Sequence, residues 1–125
     1  MDKQLMDIVL PGLARRLHKH LERYQCGELD DDQLSKRFAS VLQKQYAWLA
    51  ERGVPEAEAA LVIHAAVLVL SGPGLRAEAS REGVPLEVVE RRAVWAAARE
   101  VADSYEISQH RATRQLSAIL ARYGD

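Results

Sequence analysis

At 125 residues the chain has the size of a single domain, residues 1–125, long enough to bury about two-thirds of its unfolded surface without disulfide or metal staples. A hydrophobic fraction of 48% with 28% charged residues excludes a disordered chain, and a formal net charge of −1 excludes a protein that coats nucleic acid through bulk charge. The single cysteine, Cys26, excludes an internal disulfide and a cysteine-rich zinc site, and fits a reducing compartment.

No signal peptide is expected, because Asp7 and then Pro11 interrupt the apolar stretch from Leu5 to Leu10. No membrane span is expected either: the longest charge-free run, 59–75, contains His64 and the Ser71-Gly72-Pro73-Gly74 turn. Its helical part is shorter than the ~20 residues a bilayer requires. The expectation is a cytoplasmic protein with no membrane partner.

In chain order, Leu5, Val9, Leu13, Leu17, Leu21 and Tyr24 recur at helical spacing and predict a first amphipathic helix. Pro11 either interrupts a long helix or opens one that begins near residue 10. Gly27 closes the segment, and Glu28, Asp30, Asp31 and Asp32 mark the next start, where carboxylates cap free amides and complement the helix dipole. A second helix over about 31–52 carries Leu34, Phe38, Val41, Leu42, Trp48 and Leu49 inward.

Gly53-Val54-Pro55 and Gly83-Val84-Pro85 repeat one tripeptide, which has the residues for one joint: a capping glycine, an extended residue, and a proline that opens a helix. Between them lies a third helix, about 55–70, apolar around nearly its whole circumference after Glu58 and therefore central. The Ser71 to Gly74 turn breaks it, and 75–82 forms a short helix or an irregular link. A helix over about 85–104 sets Leu86, Val89, Ala93, Ala97 and Val101 on one side and Val88 and Trp95 on another. The last helix, about 108–123, aligns Ala112, Leu116, Ile119, Leu120 and Tyr123. No strand-length alternation competes. The fold class expected is all-α, a compact orthogonal bundle of five or six helices around the central apolar helix.

Candidate chemistry is sparse. His18 and His20 lie two positions apart, ~200° around a helix, so they cannot share a metal, and both are expected in solvent. With them, Arg15, Arg16, Lys19 and Arg23 form a basic helical face that would suit an anionic partner. His64, alone in the central helix, reads as a neutral imidazole bonded to one neighbour. The acids Glu78, Glu82, Glu87 and Glu90 lack the Glu-x-x-His pairs of a di-iron bundle and alternate with Arg76, Arg81, Arg91 and Arg92 as exposed ion pairs do. The Ser-Gly-Pro-Gly turn lacks the lysine and spacing of a phosphate-binding loop. With no nucleophile, base and oxyanion site that belong together, no enzyme and no cofactor are expected.

One stretch, Val101 to Leu120, resembles the helix-turn-helix of bacterial repressors. The resemblance rests on Val101-Ala102, Tyr105, Ile107-Ser108, Ala112, Arg114 and Leu116. It implies that Ser108, Gln109, His110, Arg111 and Arg114 face DNA. Glu106 stands where such turns usually hold glycine, and Gln115 where they are usually apolar. If the segment is only structural, Arg111 and Arg114 are solvated or pair with acids such as Glu100, Asp103 and Glu106. The expected function is a non-catalytic helical interaction module, an adaptor or accessory subunit that binds another protein or a second copy of itself. DNA binding through 101–120 is the alternative.

Overall fold

The structure, a computed structural model, describes residues 3–123. Among these residues the chain forms six helices and no strand: α1 Lys3–Gln25, α2 Asp31–Glu51, α3 Glu56–Leu70, α4 Gly72–Glu82, α5 Leu86–Ser104 and α6 Gln109–Tyr123. No single helix among them is long and apolar enough to cross a membrane.

The helix α3 packs against each of the other five. It buries Ala59, Ala60, Leu61, Val62, Ile63, Ala65 and Ala66, because a helix without a polar face is stable only when enclosed and its alanines admit neighbours closely. Around it, Leu10, Leu13 and Leu17 of α1, Leu49 of α2, Ala98 and Val101 of α5, and Ala112 and Leu116 of α6 complete the core. The last turn of α3 departs from this pattern. Val67, Leu68, Val69 and Leu70 are only half-buried.

Both Gly-Val-Pro joints have the same geometry. Gly53 and Gly83 are left-handed, at φ 73° and 67°, and each following valine N–H reaches back five residues, Val54 to the Leu49 carbonyl and Val84 to that of Ala79. Only glycine adopts that φ without strain, and the pattern is a Schellman ending. Pro55 and Pro85 then take φ −58° and −59° with ψ 145°, one residue ahead of the helices they introduce. At α2 the acidic start becomes a capping box. Asp30 Oδ1 accepts from Gln33 N at 2.8 Å and Gln33 Oε1 accepts from Asp30 N at 2.9 Å.

Of the two readings of Pro11, the structure has the first: it lies inside a single long α1, which leaves that turn one donor short. The Ser71 break is one residue long, and the chain resumes at once as α4, bent 59° from α3 with Pro73 in its first turn. The inward stripe of α2 is shallower than its periodicity implies: Leu49 and Gln45 are buried, but Leu34, Phe38, Val41, Leu42 and Trp48 are half-exposed. The cause is packing: α2 meets chiefly α1 and α3, so the part of its stripe turned away from those two helices stays uncovered.

Candidate functional site

The half-buried end of α3, together with α4, α5 and α6, encloses an open groove of ≈ 840 Å³. Its apolar lining comes from Leu68 and Val69 of α3, Leu75 of α4, Leu86, Val88, Val94 and Trp95 of α5, and Leu120 of α6. The wall formed by α5 follows from its sequence: Val89, Val94, Ala97 and Val101 turn to the core, which leaves Val88 and Trp95, two turns apart, on the opposite side. Trp95 keeps 46% of its surface exposed and Val88 38%, two of the three large apolar side chains so exposed among the described residues, the third being Ile8 of α1. Charges of both signs rim the groove. Arg92 is held by Glu82 through two contacts of 3.0 and 3.3 Å, while Arg76, Glu87, Glu90 and Arg91 make no ion pair among the described residues. The alternating ion pairs expected along 76–92 thus reduce to one.

Helix α6 meets this groove at the Trp95 turn. Gln109 Nε2 donates to the Trp95 carbonyl at 3.3 Å, and the His110 ring stands edge-on to the Trp95 indole, centroids 5.9 Å apart. Ser108 caps α6, its Oγ accepting from Arg111 N at 3.1 Å. Three of the five residues that the helix-turn-helix resemblance assigns to DNA are therefore engaged locally. Arg111 and Arg114 are exposed and form no ion pair among the described residues, so the pairing with Glu100, Asp103 or Glu106 does not occur. The α5–α6 link contains no left-handed residue. Tyr105 leaves α5 directly into extended backbone, φ −136° and ψ 162°, so Glu106 is accommodated without strain and the turn differs from one that needs glycine.

The basic face expected on α1 divides. Arg16 bonds the Gly12 carbonyl and reaches across to Gln45 Oε1 on α2, and Arg23 pairs with Glu28 at 3.0 Å. Arg15 and Lys19 are exposed and in no ion pair among the described residues.

The histidines also sort themselves. His18 is exposed and 2.6 Å from Glu22. His20, expected in solvent, is half-buried with its Nδ1 enclosed and unpartnered; burial, then the charges of Arg37, Arg23 and Lys19, pushes its pKa below the ordinary value. His64 is 27% exposed at its side chain, with Nε2 3.8 Å from Glu100 Oε2, too far for the expected hydrogen bond to that neighbour. Burial lowers its pKa, and Glu100 opposes that shift. Burial and the Tyr105 hydroxyl push the Tyr46 phenol up to about 12.

Among the described residues no group of three or more His, Cys, Asp or Glu side chains is placed to hold a metal ion. No family model, curated protein or solved structure matches this chain. The groove itself was invisible to motif reading because its lining is drawn from four helices. The one available signal was the Val88–Trp95 spacing, which sits off the core stripe of α5.

Proposed function

We propose that the protein is a non-catalytic helical interaction module whose groove between α3, α4, α5 and α6 receives an amphipathic helix of a partner protein. The observation that carries this reading is the exposure of Trp95 and Val88 on one wall of an apolar groove. A large aromatic left half in water beside open apolar surface is an unfavourable state for a protein in isolation, and tryptophan in such a setting is a common anchor at interfaces. The two side chains stand two turns apart, the span that anchors at i, i+3, i+4 and i+7 of a docked helix would cover. The uncommitted Arg76, Glu87, Glu90 and Arg91 on the rim offer both signs of charge to such a helix and would fix its direction.

Selection from a library of displayed helical peptides tests the proposal. Binders should carry an apolar stripe at helical spacing and lose affinity for Trp95→Ala while keeping it for a surface change elsewhere, such as Lys36→Ala. Binders indifferent to Trp95, or none at all, would refute it.

A second reading draws on the exposed, uncommitted Arg111 and Arg114: DNA binding through α6. It requires that Ser108, Gln109 and His110 read DNA while engaged as described above, and it leaves the groove without a role.

A further inference from the structure

A second surface lies outside the groove, on the α1–α2 hairpin. In this near-neutral chain the shafts of both helices are free of acids: residues 8–21 and 33–50 contain no Asp or Glu, yet carry Arg15, Arg16, Lys19, Lys36, Arg37 and Lys44. None of these six makes an ion pair among the described residues; Arg16 bonds only neutral oxygens. Two rungs show that α1 and α2 contribute to one edge. Arg16 of α1 reaches Gln45 of α2, next to Lys44, and His20 of α1 lies within the fields of Arg37 of α2 and of Lys19 and Arg23.

The edge is not purely charged. On α2, Arg37, Val41, Lys44, Trp48 and Arg52 follow at steps of four, three, four and four, one continuous stripe in which cations alternate with half-buried apolar side chains. Arg52 stacks on Trp48 at 3.4 Å from the ring centroid. At 1.5 Å per residue the stripe is about 22 Å long, four turns of helix. Like charges so gathered repel one another unless a counter-charge is present, and the alternation specifies its form.

We infer that this edge of the α1–α2 hairpin binds an acidic amphipathic helix of a partner protein, its carboxylates opposite Lys19, Arg37 and Lys44 and its apolar residues over Val41 and Trp48. A phosphate backbone would satisfy the cations and leave Val41 and Trp48 unused. The site is distinct from the groove, so either proposal can fail alone.

The probe is a synthetic helical peptide of roughly 18 residues with leucine at i, i+3, i+4 and i+7 and glutamate at most other positions. Binding is followed by Trp48 fluorescence in a Trp95→Phe background, which leaves Trp48 as the sole reporter. The expected result is saturable binding that weakens with salt and falls about tenfold or more on Lys19→Glu or Arg37→Glu, with unchanged circular dichroism. Trp95→Ala should leave it intact. Peptide binding that ignores both charge reversals would overturn the inference. So would tighter binding of duplex DNA with the same sensitivity to reversal, or salt-sensitive dimerisation of the protein alone that both reversals abolish, since these would assign the edge to phosphate or to a second copy.

Discussion

Replacing Trp95 by alanine separates a docking side chain from a structural one. A fully enclosed Trp or Phe costs about 3–5 kcal/mol on truncation to alanine. Trp95 keeps 46% of its surface in water, so roughly half of that figure, about 2 kcal/mol, is at stake in folding, edge contact with His110 included. Leu116, 0% exposed where α6 meets the core, is the internal standard, and Leu116→Ala should cost about 3–4 kcal/mol. Urea unfolding followed by circular dichroism measures both, with the same denaturant slope as the wild type. As an interface anchor Trp95 should cost about 2 kcal/mol or more in binding, about 30-fold in Kd, to a peptide selected for the groove. If Trp95→Ala destabilised the fold as much as Leu116→Ala, or left peptide binding untouched, the assignment of Trp95 to an interface would be refuted.

The remaining expectations concern caps, pH and nucleic acid. Asp30→Ala removes half of the reciprocal box at the start of α2 and should lower stability by about 1 kcal/mol in the same urea assay, whereas a neutral outcome would mean the box contributes nothing. His20 and His64 have folded-state pKa values below the ordinary 6.5, so their neutral forms are favoured in the fold. The unfolded chain then binds protons first as pH falls, and stability present above 6.5 is lost through the window beneath it. His20→Phe should flatten the Tm-against-pH profile in that window, and an unchanged profile would remove His20 from the account. Asp7 acts at lower pH. The Tyr123 hydroxyl, opposed by desolvation and aided by Arg122, holds its carboxyl below 3.8, so the link between α1 and α6 persists above that value and is lost as pH falls through the folded pKa. Random duplex DNA should not bind at low salt. Steeply salt-dependent binding that disappears in an Arg111→Ala/Arg114→Ala double variant of unchanged helicity would transfer the function to α6.

What sequence determined here is local. The periodicities of α1, α5 and α6, the glycine-valine-proline joints and the acidic start of α2 depend on residues within a few positions of one another, and backbone sterics or capping hydrogen bonds enforce them without tertiary help. The centrality of α3 was legible for a related reason: a helix with no polar face can only be enclosed. Depth of burial was not legible. Periodicity shows that Val41 and Trp48 are apolar points on a helix, but whether another helix covers them depends on which helices pack against α2, and chiefly α1 and α3 do. The same holds for function. The groove takes Leu68, Leu75, Trp95 and Leu120 from four helices, and the basic edge joins Arg16 and His20 to Gln45 and Arg37 across a hairpin. These neighbours are separated by up to some fifty positions in the chain, and only the angles at which the helices cross α3 and one another bring them to one surface.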